Sequence, residues 1–295
     1  MREIYIIIES MILTCSESNM KNILIFGLAI AGIMFSSSVF AGDVTMKTTY
    51  WHDLTKDKKT SYTISTDKVR AGEKSQKFEL IPGFCGRDRY GSDCERNAER
   101  VERIFKQDQK PGKEYWYAWS IMLDPSTDWS KVAVTSIALG QVIALGVDKP
   151  PWIFKMRSNQ FYTNIHFAGE SPAGKIAKGD GTYCGDMGST QMATGKWMDI
   201  LLKADYSDKL KQGHSYLQIW INGELVCDIK DTIVNKHTWS DRYKNKGKRL
   251  NFRYGIYNNN VDRALDMPIR TIWYDEIRIG SSREDVELNI DNPVD

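Results

Sequence analysis

The sequence predicts an all-β protein: a single domain of many antiparallel strands, arranged as a sandwich or jelly roll. Short strand-like segments, separated by clusters of Gly, Pro, Asn and Asp, follow one another from Tyr62 onward. Residues 42–295 contain no long stretch of helical periodicity, no internal repeat and no Pro-rich linker. They are also an ordinary length for one all-β domain with a substantial core. Together these observations favour two packed sheets.

The individual strands are predicted from period-two alternation and from turn residues. In Tyr115–Leu123, every second residue is large and apolar, so this strand has one side suited to a core. In Tyr216–Ile229, Asn222-Gly223 lies between two apolar-rich runs, which is the preferred composition of a two-residue hairpin turn. The other predicted strands include Ser75–Ile81, Val134–Leu145, Ile153–Arg157, Phe161–Phe167, Trp197–Ala204 and Arg270–Ile279.

The N-terminal segment is predicted to be absent from the working protein. Met20–Asn22 forms a short basic region, Ile23–Phe35 is apolar, and Ser36–Ala41 has the small residues that a signal peptidase reads. This order predicts a secretory signal preceded by an upstream extension, and the alternative is an uncleaved N-terminal anchor. The expected domains are therefore residues 1–41, extension plus signal peptide, and residues 42–295, the β domain.

Export limits the possible partners. The predicted location is secreted or periplasmic, which disfavours a nucleic-acid role, and no membrane association is expected once the signal is cleaved. The formal net charge of the whole chain is only +2 at pH 7, so attraction to a polyanion must come from local clusters of charge. We expect a monomer.

Four cysteines follow the predicted signal: Cys85, Cys94, Cys184 and Cys227. An even number of cysteines in an exported chain predicts two disulfides. Cys85–Cys94 is the favoured pair because the loop between them is short and polar, and its closure is expected to stabilise the fold by roughly 2–3 kcal/mol. Cys184–Cys227 follows only by elimination. A zinc site is the rival, but no CxxC pair and no nearby histidine supports it.

The segment Asn251–Tyr257, reading NFRYGIY, carries the most functional information. Side chains alternate across a strand, so its two faces differ completely in chemistry. One face carries Phe252, Tyr254 and Ile256, and the other carries Arg253, Gly255 and Tyr257. The first face suits a core. The second offers a cation, a gap without a side chain and a phenol, which suits an anionic ring lying across a sheet.

Two further segments carry polar residues that share a face. In Glu99–Phe105, Arg100 and Glu102 point the same way, and in Leu139–Ile143, Gln141 lies on the face of Leu139 and Ile143. Arginine binds carboxylates in bidentate fashion, and glutamine can hydrogen-bond a carboxyl group. A structural hydrogen bond or a salt bridge within a strand is the alternative explanation for each of these residues.

This set of residues matches β-elimination from a uronic acid polymer. The proton on carbon 5 becomes acidic only when the adjoining carboxylate is neutralised, so positive or hydrogen-bonding groups are needed there. A tyrosine whose pKa is lowered by neighbouring cations can remove a proton and then return one to the departing 4-oxygen. The reaction requires no metal or organic cofactor in principle.

The residues resemble the heparin lyase I-like polysaccharide lyases, relatives of the alginate and glucuronan lyases. The resemblance covers most of Val69–Val286, and it is carried by an ordered set of segments. These are Arg70–Leu80, the Cys85–Cys94 loop followed by ERVE (Glu99–Glu102), Tyr115–Leu123, Gly140–Trp152, Gly195–Leu202, Leu217–Val226, the RYGIY run and Ile272–Gly280. It implies a concanavalin-like β-jelly-roll, lyase activity on an anionic polysaccharide and no organic cofactor.

The resemblance also implies roles for single residues. Arg100 matches the arginine of the family's R-x-E strand, which lines the substrate cleft, and Glu102 matches its glutamate, a positioning group. Gln141 matches the glutamine of Q-x-H, which faces the substrate carboxylate. Arg253 and Tyr257 match K-x-G-x-Y, whose tyrosine is the catalytic acid/base.

Two positions depart from the family pattern. The histidine of Q-x-H is replaced by Ile143, so Tyr257 alone could perform both proton transfers when the proton and the leaving oxygen lie on the same side. His166 could instead substitute for the missing histidine, or the chain could bind glycans without cleaving them. The second departure is Arg103, which stands where the family prefers leucine.

The remaining candidates are weaker. Lys248 belongs to a basic cluster in 244–249 that is either a solvated loop or a patch that draws in the anionic chain and binds it. Asp180 and Asp186 could hold a structural calcium, although turn chemistry also accounts for them. The remaining histidines carry no metal-binding spacing, and no metal site is predicted.

Three functions are therefore compared. The favoured one is a secreted lyase in which Tyr257 is the acid/base while Arg100, Gln141 and Arg253 bind and neutralise the uronate. The second is a carbohydrate-binding jelly roll without catalysis, which the loss of the family histidine suggests. The third is a glycoside hydrolase, which needs two carboxylates across a cleft. The ERVE strand offers only Glu99 or Glu102 for this role.

Overall fold

Two large antiparallel sheets form the domain. The computed structural model describes residues 51–53, 62–88, 91–105, 109, 113–144, 150–165, 181–206, 216–230 and 250–294. The chain separates into two units, residues 1–40 and 41–295, and all described residues lie in the second. The predicted extension and signal peptide lie outside the described residues.

The described residues form sixteen strands, one short α-helix and three 3₁₀ turns. The strands are β1 (Trp51–Asp53), β2 (Tyr62–Ser65), β3 (Ser75–Leu80), β4 (Arg87–Asp88), β5 (Gly91–Ser92), β6 (Ala98–Phe105), β7 (Glu114–Leu123), β8 (Ser136–Ala144), β9 (Trp152–Arg157), β10 (Gln160–Ile165), β11 (Gly181–Tyr183), β12 (Met198–Asp205), β13 (Tyr216–Ile221), β14 (Glu224–Lys230), β15 (Leu250–Asn259) and β16 (Arg270–Gly280). The helix α1 is Trp129–Val132, and the 3₁₀ turns are Cys94–Arg96, Thr190–Met192 and Val261–Arg263.

The strands are ordered β1-β6-β15-β8-β9-β10-β11 in one sheet, here called the front sheet. The order in the other, the back sheet, is β14-β13-β12-β7-β16-β3-β2, and β4 and β5 pair separately. All strand pairs are antiparallel, and neighbours in space are often distant in sequence, as in a jelly roll. The predicted all-β jelly-roll sandwich is therefore confirmed.

The core lies between the facing sides of the two sheets and is rich in aromatic residues. Trp119 of β7 and Trp152 of β9 stack with ring centroids 6.5 Å apart, and Phe252 of β15 packs against both. All three side chains are buried. Removing large aromatic side chains from water contributes strongly to stability, so these contacts hold the sheets together.

The predicted strands agree with the observed ones to within one or two residues at most ends. The hairpin is confirmed: β13 ends at Ile221, β14 begins at Glu224, and both Asn222 (φ 49°) and Gly223 (φ 85°) adopt the left-handed conformation. A turn with positive φ at both central residues matches the twist of the flanking strands, which explains the Asn-Gly pair. The predicted strand Phe161–Phe167 runs past the described residues, which end at Ile165 in that region.

Arg103, the second departure from the family pattern, points into the core. Its Nη1 donates to Gln76 Oε1 at 3.0 Å and to the Tyr254 hydroxyl at 3.4 Å, and its guanidinium carbon lies 4.0 Å from the centroid of the Tyr62 ring. The Tyr254 hydroxyl donates to the same Gln76 oxygen at 2.6 Å. The arginine is therefore held by Gln76 and Tyr62 of the back sheet and by Tyr254 of the neighbouring strand β15. The register between β6 and β15 is regular at this position.

Both predicted disulfides are present. Cys85 and Cys94 are joined with Cα atoms 5.3 Å apart, and this bond holds the loop that leads into β6. Cys184, just after β11, is joined to Cys227 of β14 with Cα atoms 5.5 Å apart. Since β11 and β14 are edge strands of different sheets, the second disulfide ties the two sheets together.

Among the described residues, no helix has the length and apolar character needed to cross a membrane.

Candidate active site

The two faces of β15 differ as the sequence predicts. Phe252, Tyr254 and Ile256 are fully buried between the sheets, whereas Arg253 and Tyr257 are only partly buried on the opposite face. That face, turned away from the back sheet, is called here the outer face of the front sheet. It is where the predicted site residues meet.

Gly255 has a role in the backbone that the sequence did not predict. Its φ of 121° is one that L side chains rarely adopt, and an added Cβ would overlap the Val101 carbonyl oxygen and press on the Phe78 ring. The pairing between β15 and β8 is also irregular from Tyr254 to Tyr257, as at a β-bulge. Glycine is therefore required by the approach of β6 and by the bulge.

The register of β6 against β15 places Arg100 directly opposite Tyr257. The guanidinium carbon of Arg100 lies 4.0 Å from the centroid of the Tyr257 ring, a cation–π contact. Arg100 Nη2 also donates to Asp93 Oδ1 at 2.9 Å, and Arg96 Nη2 donates to the same oxygen at 2.7 Å. Asp93 is completely buried and accepts from both arginines, so it holds Arg100 against the tyrosine ring.

Glu102 and Gln141 meet across β15, which lies between their two strands. Gln141 Nε2 donates to Glu102 Oε1 at 2.7 Å, and Arg100 Nη1 lies 3.4 Å from Glu102 Oε2. Glu102 is paired with Gly255 in the sheet. Arg100, Glu102 and Gln141 are all nearly inaccessible, with exposures of 4%, 2% and 3%.

Burial shifts the pKa values of two groups in the site. Burial raises the pKa of Glu102, against the opposing effect of Arg100 and Arg253 and the hydrogen bond from Gln141. Burial also raises the pKa of Tyr257, and the positive charge of Arg100 only partly offsets this. The expectation that cations lower the tyrosine pKa is therefore wrong for the protein without substrate, because loss of hydration exceeds the attraction of one guanidinium.

The structure thus brings five predicted residues onto one surface. Arg100, Glu102, Gln141, Arg253 and Tyr257 form what is called here the site cluster. His166, Lys248 and Asp180 lie outside the described residues. Ile143 is half-buried two residues after Gln141 on the same strand. Asp186 accepts a hydrogen bond from the Gly188 amide, and the described residues contain no group of three His, Cys, Asp or Glu side chains suited to a metal.

Three residues near the cluster were missed from the sequence. Asp93 holds Arg100, and its only sequence signal is its position immediately before the predicted disulfide cysteine Cys94. Lys155 and Tyr162 lie on the outer face of the front sheet beside the cluster, because Tyr257 pairs with Ala138, Ala138 with Lys155, and Lys155 with Tyr162. Period-two alternation could place them on one face of their strands. It could not tell which strands are neighbours.

Comparisons with known proteins identify this architecture. Residues 44–278 match the family model described as polysaccharide lyase. The alginate lyase PA1167 from Pseudomonas aeruginosa is 11% identical, with a TM-score of 0.50 over 79% of this chain and 98% of that one. The alginate lyase AlgAT5 of polysaccharide lyase family 7 is 12% identical, with a TM-score of 0.48 over 79% and 95%. No curated protein matches the chain significantly. At these identities the structural likeness concerns the fold.

Proposed function

The chain belongs to the polysaccharide lyase family, and from this premise we propose that it cleaves a uronic-acid-containing anionic polysaccharide by β-elimination. The observation that carries the proposal is the pairing of a partly exposed phenol, Tyr257, with the buried guanidinium of Arg100 beside it. We further propose that it acts outside the cytoplasm, where its two disulfides are stable.

Arg253 and Gln141 are proposed to neutralise the substrate carboxylate. Arg253 is partly exposed on the same face as Tyr257, so it can reach a bound anion. Gln141 has two N–H donors, and Glu102 accepts from one of them. The proposed task of Glu102 is to orient this amide so that its second N–H meets the carboxylate. Arg100 is proposed to stabilise negative charge on the Tyr257 oxygen through the cation–π contact and its own charge.

The proposed reaction is balanced within the substrate and one tyrosine. The Tyr257 phenolate removes the proton from carbon 5, the bond between carbon 4 and its oxygen breaks, and a double bond forms between carbons 4 and 5. The Tyr257 phenol then returns the same proton to the departing oxygen. This requires the proton and the leaving oxygen to lie on the same side of the ring, as they do in glucuronate and mannuronate. It also explains how the site can work with Ile143 in place of the family histidine.

The raised pKa of Tyr257 makes the phenolate a minor species at neutral pH. The proposed mechanism therefore predicts that kcat/KM rises about tenfold per pH unit above neutrality, until the pH reaches the raised pKa. Glucuronan, alginate blocks and heparin are the substrates for this test, and the signal is the ultraviolet absorbance of the unsaturated uronate product. Tyr257→Phe should abolish that signal. Cleavage by Tyr257→Phe at the wild-type rate would remove Tyr257 from the mechanism.

Ile143 favours a second candidate function. An apolar side chain at the family's histidine position can neither donate to a carboxylate nor act as a base, so a protein that binds uronate chains without cutting them would tolerate it. Binding of a uronate polymer with neither unsaturated product nor new reducing ends would support this function. We expect the lyase product instead, because the pair of Tyr257 phenol and Arg100 guanidinium is present.

A further inference from the structure

A row of side chains continues from the site cluster across the front sheet. Residues directly opposite each other in neighbouring antiparallel strands point to the same face. The row runs from Arg100 through Tyr257 and Ala138 to Lys155 and Tyr162, crossing β6, β15, β8, β9 and β10 in turn. Burial agrees with this direction, because the intervening residues Phe154, Met156 and Phe161 fill the core.

The far end of this row is built as a polar hollow. Lys155 Nζ lies 5.8 Å from the centroid of the Tyr162 ring, and the Tyr162 hydroxyl lies 2.9 Å from Ser136 Oγ. Tyr162 is only 9% exposed, so its ring is a fixed wall and not a free surface side chain. Arg157 follows on the same face of β9 and is exposed. These residues, with Gln160 and Asn164, line an open cavity of about 420 Å³.

The spacing of this hollow from Tyr257 matches a polymer lying across the strands. Neighbouring strands are about 4.8 Å apart, so Lys155 lies about 10 Å from Tyr257 along the row. One pyranose unit of a polysaccharide spans a distance similar to one strand spacing. A chain with its cleaved bond at Tyr257 therefore places a second sugar unit, with its own carboxylate, over Lys155.

We propose that Lys155, Arg157 and Tyr162 form a second subsite, which binds the carboxylate of a uronate unit about two positions from the cleaved bond. Lys155 and Arg157 supply the charge, and the Tyr162 ring supports the face of the sugar. This subsite rests on the proposed function, because it presupposes a uronate chain at Tyr257. Its consequence is that longer oligosaccharides bind better than short ones, and that this gain depends on Lys155.

The test measures binding without turnover. In a Tyr257→Phe background, the Kd of glucuronate and mannuronate oligomers of increasing length is measured by calorimetry, with and without Lys155→Gln. Loss of one charge-assisted hydrogen bond is expected to weaken binding of the long oligomers about tenfold and to leave disaccharide binding unchanged. Arg157→Gln is expected to act in the same direction with a smaller effect, because Arg157 is more exposed.

Lys77→Gln is the matched control. Lys77 Nζ also lies 5.8 Å from an aromatic centroid, that of Trp273, and is also partly buried, but it lies on the back sheet facing away from the core. It should leave every Kd unchanged, and the thermal midpoints of all variants are compared to exclude misfolding. If Lys155→Gln and its parent bind long oligomers equally well, the subsite is overturned. Product formation by the wild-type protein would still support the lyase in that case. Failure of wild-type protein to form product, with no oligomer bound, would overturn both.

Discussion

Strand β6 carries charged residues on both of its faces, and the two faces use them differently. On the inner face, Glu99 accepts from the Gly83 amide at 2.5 Å and lies 2.6 Å from Arg270 Nη2. On the outer face, Arg100 is bound to Asp93 and stacked on Tyr257. The inner charges are enclosed by the back sheet. The outer ones end in a partly exposed phenol.

The two networks differ in whether any of their polar side chains reach the surface. Arg270 is completely inaccessible and also donates to Asn258 Oδ1 and the Leu80 carbonyl. Its guanidinium therefore links β16 to β15 and β3 and does not reach the surface. The outer network fixes its arginine with a buried carboxylate but presents Tyr257 and Arg253 at its edge. Buried charge is thus a structural link on one face, whereas on the other it supports the partly exposed groups that are proposed to react.

The largest expected effect is that of Tyr257→Phe on catalysis. Removing the proposed acid/base should lower kcat/KM by about 10³-fold or more. The free energy of unfolding should change by less than about 0.5 kcal/mol, because the hydroxyl is not part of the core network. Steady-state kinetics and urea unfolding measure the two quantities. A large loss of stability would mean that the outer face is structural after all.

The next effect is on stability, through Arg270→Met. This change leaves Glu99 buried beside an apolar side chain, which should destabilise the fold by about 3–5 kcal/mol. The double variant Arg270→Met/Glu99→Gln should recover part of that loss, because no ionised group is then left unpaired. Urea unfolding of both variants gives the two free energies. Additive losses in the double variant would contradict the ion-pair explanation.

A third buried charge extends the comparison to the back sheet. Asp275 of β16 accepts hydrogen bonds from the amides of Arg70, at 2.6 Å, and Glu276, at 2.8 Å. Burial nevertheless raises the pKa of Asp275 to about 7. Because the pKa of Asp275 is higher in the folded than in the unfolded protein, its contribution to stability is fully present only below the unfolded-state pKa. That contribution is lost as the pH rises through about 7.

The wild-type protein should therefore lose about 2–3 kcal/mol of stability from this group between pH 5 and pH 8. Asp275→Asn cannot ionise, so its free energy of unfolding should fall less over the same interval. Chemical unfolding at both pH values measures the difference. Parallel pH dependence in the two proteins would show that Asp275 titrates normally.

The sequence predicts the faces of single strands well, but not which strands are neighbours. Alternation places Tyr257 and Arg253 on one face and Tyr254 on the other, as observed. It wrongly places Gln141 on the face of Leu139, which lies in the core, because the register of β8 against β9 shifts between Ala138 and Gly140. The contact of Gln141 with Glu102 depends on β15 lying between their strands, a long-range arrangement that no local pattern encodes. For the same reason, the sequence did not show that Lys155 lies beside the site cluster. Asp93 was missed because a loop carboxylate shows its partners only after the chain has folded.

The backbone requirement for glycine at position 255 was not predicted, for a related reason. From the sequence, a missing side chain between Arg253 and Tyr257 indicates open space above the strand. In the structure the positive φ and the contact with Val101 require glycine, and the space above it is crossed by the Gln141–Glu102 hydrogen bond. A backbone conformation and a cross-strand contact are both tertiary properties, so composition alone cannot separate them from a binding gap.

The smallest expected effect completes the comparison of faces within β15 itself. Tyr254 is the inward phenol, and its hydroxyl donates to Gln76 and accepts from Arg103. Tyr254→Phe leaves those two groups short of one partner each, so it should cost about 1–3 kcal/mol of stability. Activity per folded molecule should be unchanged, since the inner face does not contact the outer one. The two tyrosine variants should thus show opposite patterns, three residues apart on one strand. If Tyr254→Phe reduced kcat/KM while the fold stayed intact, the division of β15 into a structural and a catalytic face would be wrong.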